Sequence, residues 1–397
     1  MKVLFLADVP LFEPTSGAEQ VLYQEANGLG ADGMDVCAIT RGTSGNRVVT
    51  IQHGRVREFR YGADPGRVLP FFLTLFRRPP ALFDRIGGER PFNVVICHQP
   101  YTAFSLLIRG RVTGLPMIYA FFSPSHEEYL LSLGSSVGPI HRFQASARRC
   151  LEGFVIRKAD RVVVLSEYTK ELVVRYHGVP PDRIATIPGG ADVLRFRVPG
   201  EPRNRLKQEL GLPEGRVHLL TVRNLEERMG VDALIEAVHR LNRHRAAYHL
   251  TIGGSGPKKD DLLQLVRRLG LDDQVSLVGF IPSEGLPRYY GAADYFILPT
   301  AHLEGFGLVT PEAMACGTPV LGTPVGGTIE ILSRFDPDHL FSGITARQMA
   351  DGIERIVSRH QTYPEAYRRL RERCRTYIDP LFMGRPCVRP PGSDRRL

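Results

Sequence analysis

The sequence predicts an α/β chain of two doubly wound, parallel sheets in separate domains, and three observations predict it. Apolar, β-branched runs of strand length recur along the chain, and stretches with apolar residues at helical spacing separate them. At 397 residues the chain also exceeds one ordinary domain of about 150 residues. Runs that are apolar throughout fit strands covered on both faces, as in a parallel sheet, whereas strands with one wet face alternate.

In chain order the first-half runs are VLFLA (3–7), VCAIT (36–40), VVIC (94–97), MIYAFF (117–122), VVVL (162–165) and IATI (184–187). The second half supplies HLLTV (218–222), YHLTI (248–252), VSLV (275–278), YFILP (295–299) and PVLG (319–322). FFLTLF at 71–76 is a further apolar run of strand length. Residues 18–29 put Ala18, Val21, Leu22, Ala26 and Leu29 on one helical face, and 231–241 do the same with Val231, Leu234, Ile235, Val238 and Leu241. The runs group into a domain over 1–195 and another over 196–345. The segment 196–215, rich in Pro, Gly and charge, reads as their connection. Residues 346–378 read as helices. The last stretch, 379–397, has four prolines and little periodicity and reads as a disordered basic tail. Doubly wound sheets bind ligands at the carboxyl ends of their strands, and two facing one another would enclose a central cleft. Chemistry is therefore to be sought just after strands.

Composition narrows the class. With 43% apolar and 23% charged residues the chain is neither disordered nor fibrous. No apolar run approaches the roughly 18 residues of a membrane span. Asp8 interrupts the first apolar stretch too early for a secretory signal, so the expected location is the cytoplasm. The six cysteines, at 37, 97, 150, 316, 374 and 387, form no CxxC pair and read as reduced, mostly buried thiols. The net charge of +9 is concentrated at the end, where residues 368–397 hold nine Arg against three acids. Of 51 basic residues 45 are Arg, which suits codon usage in a high-GC bacterium better than phosphate recognition, and no nucleic-acid partner is expected. A helix over 141–158 is basic, with His141, Arg142, Arg148, Arg149, Arg157 and Lys158 against Glu152. A solvated face is its plain reading; a weak peripheral contact with a membrane surface or an anionic acceptor is the other.

The richest stretch is LPTAHLEGFGLVTPEAMACGTPVLGTPVGGTIEIL (298–332). A strand ending near Pro299 leads into a loop with Gly305 and Gly307, then into a short helix for which Thr310 suits the N-cap and Pro311 the first position. Unpaired amides there favour an anion, and the glycines let a phosphate approach the backbone. Glu304 and Glu312 bracket the loop. Carboxylates beside a phosphate repel it unless they accept hydrogen bonds from hydroxyls, a condition met by a nucleotide sugar. The bland alternative is a surface turn with two solvated acids. The GGSG turn at 253–256 is weak evidence by itself, and Ser166, before Glu167, is explained as an N-cap. Asp192 and Arg195 read as braces of the interdomain hinge.

EGFGLVTPE, AMACGTPV and VGGTIEI resemble the retaining glycosyltransferases of family 4, which have the GT-B architecture of two Rossmann-like domains. SGAEQVLYQEANGLGADGMDV (16–36), VVVLSEYTKELV (162–173), IPGGADVLRF (187–196), TIGGSGP (251–257) and VGFIPSEGLPRYYGAADYFILP (278–299) extend the likeness over residues 1–360. The resemblance implies that Glu304 contacts donor-sugar hydroxyls and Glu312 holds the ribose. It implies too that the backbone of Gly305, Phe306, Gly307 and Leu308 lines sugar and diphosphate, that Gly17 lies in a loop near the phosphates, and that Val278, Gly279, Phe280 and Ile281 lie near the nucleobase.

Three positions depart from the family pattern. Where the family has G-R-L-x-x-x-K-G, this chain reads VRNLEERMG (222–230), with Asn224 for the diphosphate-gripping Arg and Met229 for the Lys. Arg223 and Arg228 stand next door, and a guanidinium reaches phosphates from a neighbouring position. The plain alternative makes both exposed charges at a helix edge. Phe122 occupies the place of a family His beside the reacting sugar. His126, swinging into the same space, and His98, after VVIC, are the candidates to replace it, a satisfied structural histidine being the bland reading of each. Family transfer is described as front-face attack in which the leaving diphosphate takes the acceptor proton, so loss of a protein base does not abolish it.

The expected protein is a retaining, metal-independent glycosyltransferase, with Glu304, His98 and His126 as catalytic candidates. It moves a hexose-type sugar from a nucleotide diphosphate donor, UDP by family habit, to a hydroxyl of a cell-envelope glycan or small metabolite. No cofactor beyond the nucleotide-sugar co-substrate is implied, and no metal. The alternatives are a catalytically weak nucleotide-sugar-binding scaffold, or a nucleotide-sugar epimerase on the same fold.

Overall fold

The computed structural model describes residues 1–381 except 14–15, 43–47, 65, 67, 89–90, 135, 197–201 and 244–246. Of the tail proposed over 379–397, residues 379–381 end the last helix, and those from 382 on, with Cys387, lie outside the described residues. The described chain divides into two compact units, one of Met1–Leu130 and Val137–Ile187, the other of Leu131–Ser136 and the described residues from Pro188 to Leu381. Pro188–Arg195 thus belong with the second unit.

In the first unit the elements run β1 (Lys2–Ala7), α1 (Gly17–Ala31), β2 (Asp35–Gly42), β3 (Val49–His53), β4 (Val56–Gly62), α2 (Val68–Gly87), β5 (Val94–Cys97), α3 (Pro100–Ile108), β6 (Met117–Phe121), α4 (Ser125–Ser132), α5 (Pro139–Lys158), β7 (Arg161–Val164), α6 (Glu167–His177) and β8 (Ile184–Thr186). The sheet order is β3-β4-β2-β1-β5-β6-β7-β8, parallel except for the β3–β4 hairpin. β1 is buried along its whole length, as its unbroken apolar run requires. α1 covers one face through Leu22, Ala26 and Leu29 against Val3, Phe5 and Ala7; α2 and α3 pack against each other, and α3 against α5.

Two readings fail here. FFLTLF is no strand: it lies inside α2, whose Phe71, Leu75, Leu82 and Ile86 are buried at helical spacing while Leu69, Phe72 and Leu73 face outward. The period over 20 residues, not the apolar content of six, decides the element. The β3–β4 hairpin has no counterpart among the predicted runs because its residues alternate: β3 is exposed at four of five positions, and β4 buries Val56, Glu58, Phe59 and Tyr61.

The second unit runs α7 (Arg203–Glu209), β9 (Val217–Val222), α8 (Val231–Leu241), β10 (Tyr248–Gly253), α9 (Lys259–Arg268), β11 (Val275–Gly279), α10 (Leu286–Ala292), β12 (Tyr295–Leu298), α11 (Val309–Ala315), β13 (Val320–Gly322), α12 (Gly327–Phe335), α13 (Ala346–Thr362) and α14 (Pro364–Leu381). All strands are parallel in the order β11-β10-β9-β12-β13. Leu234, Ile235 and Val238 of α8 and Met349, Ile353 and Val357 of α13 share one core with Leu250 and Ile297. The stretch 196–215 is more than a connection. It contains α7, which buries Leu206 and pairs Arg203 and Lys207 with Asp294 at 2.7 and 2.8 Å. The cysteines among the described residues are free thiols, buried except Cys150. No described helix is long and apolar enough to cross a membrane.

Candidate active site

In the second sheet the chain winds outward from β9 through β10 to β11, then returns to the other side of β9 as β12. The loops after β9 and β12 therefore diverge at the carboxyl edge, the topological switch point where such sheets take ligands. The first loop carries Arg223 and the second Glu304.

Arg223 is not an exposed helix-edge charge. Only 9% of it is accessible, and its Nη2 donates to Glu304 Oε2 at 2.6 Å while lying 2.8 Å from Met229 Sδ. The Thr300 hydroxyl donates to the same Oε2 at 2.7 Å. Both partners use Oε2, and neither bonds Oε1. Arg228 is likewise spent on the protein. Its Nε donates to Glu226 at 3.1 Å and its Nη1 to the Leu303 carbonyl at 3.0 Å. Its own carbonyl accepts from the Ala301 and His302 N–H groups at 2.9 and 3.1 Å. Arg228 thus clasps residues 301–303, where Leu303 has φ +59°, the only positive φ outside glycine among the described residues. A leucine there carries strain of order 1 kcal/mol, held by the clasp directly before Glu304.

Thr310 is not an N-cap. The helix starts at Val309 after Leu308, no side chain caps it, and the Thr310 hydroxyl is buried without a hydrogen-bond partner. α11 has only seven residues, so the anion-binding helix start expected here is a short one. Glu312, inside it, is buried and accepts from the Tyr290 hydroxyl at 3.0 Å. Burial pushes its carboxyl up to about 7, against the Tyr290 hydrogen bond and the nearby Arg195, which both lower it. Arg195 is therefore a neighbour of Glu312; Asp192 caps its own turn, accepting from the Leu194 and Arg195 N–H groups.

Two further turns press on the Glu304 loop. A Cβ on Gly327 would sit 2.6 Å from the Gly305 carbonyl, and one on Gly189 would sit 2.6 Å from Leu308. At Gly327 the loop backbone leaves no room for a side chain, whereas Gly189 is crowded by the Leu308 and Phe306 side chains. Asn224 is half-buried beside Arg223. At the end of β11 Val278 is 41% exposed, and just beyond it Phe280 is 58% exposed and Ile281 buried, while the Gly279 carbonyl accepts from Gly254 N–H at 2.7 Å.

The first unit has its own switch point, between β1 and β5. Asp8, after β1, accepts from the Tyr101 and Thr102 N–H groups at 2.8 and 2.9 Å and from the Thr102 hydroxyl at 2.6 Å. It caps α3, whose own Gln99 makes no cap bond. His98 is 3% exposed, its Nε2 2.9 Å from Glu25, its Nδ1 without a partner, its ring 5.4 Å from Phe122. His126 does not enter the space beside Phe122. It lies in the first turn of α4, edge-on to Tyr176 at 4.8 Å, and burial lowers its pKa. Gly17 is the first residue of α1 rather than a loop residue, behind a Ser16–Glu19 capping box. Ser166 caps α6, as expected, accepting from Thr169 N–H at 3.1 Å.

Sequence reasoning passed over Thr300, Tyr290, Asp8 and Glu25 as site residues, and it gave Arg195 another role. Thr300 and Asp8 had a legible signal, each a polar residue directly after a strand; the others reach their partners only through packing. Among the described residues no group of three or more His, Cys, Asp or Glu is placed to hold a metal ion.

Residues 202–377 match the family described as glycosyl transferases group 1, and residues 16–190 match the glycosyl transferase 4-like domain. A D-inositol 3-phosphate glycosyltransferase of Arthrobacter is 28% identical over 83% of this chain and 79% of its own length. One from Thermobifida fusca is 31% identical over 73% and 66%. Among solved structures, sucrose-phosphate synthase of Thermosynechococcus elongatus superposes with a TM-score of 0.77 at 24% identity, over 96% of this chain and 95% of that one. Anabaena HepE, solved with UDP and glucose, gives 0.74 at 17% identity, over 96% and 95%. These likenesses show the GT-B fold.

Proposed function

We propose that this chain, which belongs to the group 1 glycosyl transferases and is therefore an enzyme, moves a hexose-type sugar from a UDP donor to an acceptor hydroxyl with retention of configuration. The observation that carries the reading is the pair of carboxylates at the second switch point. Glu304 is held by Arg223 and Thr300 with one oxygen left over, and Glu312 is held by Tyr290 next to Arg195. Carboxylates fixed in this way accept from hydroxyls, Glu304 from the sugar and Glu312 from the ribose, while the backbone of Gly305–Leu308 lies between them. Phe280 provides the base contact. The uridine choice is supported by the bound UDP and glucose of Anabaena HepE.

In the proposed step the acceptor oxygen bonds to the anomeric carbon on the face the diphosphate leaves. The anomeric C–O bond breaks with its electron pair going to the phosphate oxygen, which takes the acceptor proton. No protein base is required, in keeping with Phe122 at the position of the family His. His98 and His126 are proposed as acceptor-side groups of the first unit. The product is a glycoside of a cell-envelope glycan or small metabolite, and the reaction runs without a metal in this reading.

Incubation of purified protein with UDP-glucose tests it. Slow UDP release, accelerated by an acceptor panel, giving a product of unchanged anomeric configuration by NMR and lost in Glu304→Gln, is the expected result. Conversion to an isomeric UDP-sugar without acceptor would establish the epimerase instead, and absence of UDP or UDP-glucose binding would overturn the donor.

A further inference from the structure

α2 follows the end of β4, and α5 runs back toward the start of β7, so both helices begin at the rim carrying the carboxyl ends of the first unit's strands. They flank α3 on one side of the sheet: Phe71 meets Tyr101 and Phe76 meets Phe104, while Arg148 bonds the Tyr101 hydroxyl and Phe154 meets Phe104. At their first turns both expose large apolar side chains. Leu69 and Leu73 of α2 are 70% and 56% accessible, with Phe72 between them at 38%; Ile140 and Phe143 of α5 are 65% and 74% accessible. Each set recurs at three- or four-residue spacing, so each is a stripe along one helix face.

Along the stretches of helix that carry the stripes the charge has one sign, the nearest acid in sequence being the exposed Asp64 before α2. Between Leu69 and Phe83 α2 holds Arg77 and Arg78 and no acid, and between Pro139 and Leu151 α5 holds His141, Arg142, Arg148 and Arg149 and no acid. Arg77 and Arg142 are exposed, whereas Arg148 lies over the Tyr129 ring and Arg149 over Tyr176. Apolar side chains standing out of a rim, framed by arginines without carboxylates, complement an anionic bilayer interface, where the apolar groups enter the headgroup boundary and the guanidiniums meet lipid phosphates. A second copy of the chain fits worse, since a twofold contact would bring the same arginines face to face.

We propose that the first unit docks on an anionic lipid surface through the N-terminal turns of α2 and α5. The proposal does not depend on the identity of the donor or on the transfer reaction. Its test is co-sedimentation of the full chain with phosphatidylcholine vesicles, with and without one third phosphatidylglycerol. The wild type is expected to bind the anionic vesicles and to leave them as salt rises. Leu69→Glu/Leu73→Glu and Ile140→Glu/Phe143→Glu should each lower the partition at least tenfold, and Arg77→Gln/Arg142→Gln about fivefold per arginine. Unchanged melting and unchanged UDP binding in these surface variants show that folding and the donor site are intact. Absence of binding to anionic vesicles, or binding that survives both apolar double variants, overturns the proposal. A dimer that these variants dissociate while vesicle binding persists would assign the rim to a second copy and overturn it equally.

Discussion

The two switch points are the same feature of topology put to different uses. In the first unit the carboxylate after the leading strand, Asp8, is consumed by the fold: its oxygens take the amides and hydroxyl at the start of α3. In the second unit the carboxylate after β12, Glu304, is supported from one side only, by Arg223 and Thr300 on a single oxygen. It follows a leucine held at positive φ. A satisfied carboxylate is a brace, whereas one held rigid with an oxygen spare has the form the proposed donor contact requires. The arginines teach the same lesson. Arg223 and Arg228 stand beside the family's phosphate-gripping positions, yet both orient the Glu304 loop.

The strongest break of this contrast would come from Glu304. Glu304→Gln keeps the shape and should lower donor turnover by about a hundredfold to a thousandfold, in steady-state assays of UDP release. Glu304→Ala also strands the Arg223 guanidinium in a buried site and should destabilise the second unit by about 3 kcal/mol or more in denaturant melts, partly recovered by adding Arg223→Met. Asp8→Ala should do the opposite, with about 2 kcal/mol lost at α3 by hydrogen exchange and UDP binding unchanged. A fall in donor binding there equal to that of Glu304→Gln would erase the distinction.

Arg228→Ala should release residues 301–303 and raise the donor KM about tenfold with a smaller change in kcat. Lysine should not restore it, because a point charge cannot bond Glu226 and the Leu303 carbonyl in one plane. The pH dependence sharpens the same comparison. Burial raises the Glu312 carboxyl to about 7. A group raised on folding favours the fold below its unfolded pKa and loses that contribution as pH rises to its folded value, so the second unit should soften as pH rises from about 4.5 through 7 and level off above that. A ribose that hydrogen-bonds the ionised carboxylate should bind more tightly over that window. Glu312→Gln should flatten both profiles in melts and titration calorimetry. The smallest effect expected is from Glu25→Gln, which loosens His98 and should change the acceptor KM a few-fold while the donor KM stays put.

Much of the fold was legible because burial on both faces of a parallel strand demands an unbroken apolar run, and every such run except FFLTLF became a strand. The β3–β4 hairpin escaped since an edge ribbon with one wet face has no such run, and FFLTLF misled since six residues cannot display a helical period. In the site, Glu304 and Glu312 were readable from their glycine-rich setting. Tyr290 and Arg195 were not, because they are separated from Glu312 in the chain and joined to it only by packing.

The amino-acid order alone determined the two-sheet architecture, the family and the loop that bears the acidic pair, because these rest on local spacing and periodicity. Tertiary structure alone decided which charges are spent and which are spare. A guanidinium one residue away from an expected position can reach either a phosphate or a carboxylate, and only the distances across the β9 and β12 loops, 2.6 Å from Arg223 to Glu304 and 3.0 Å from Arg228 to Leu303, determine which it meets.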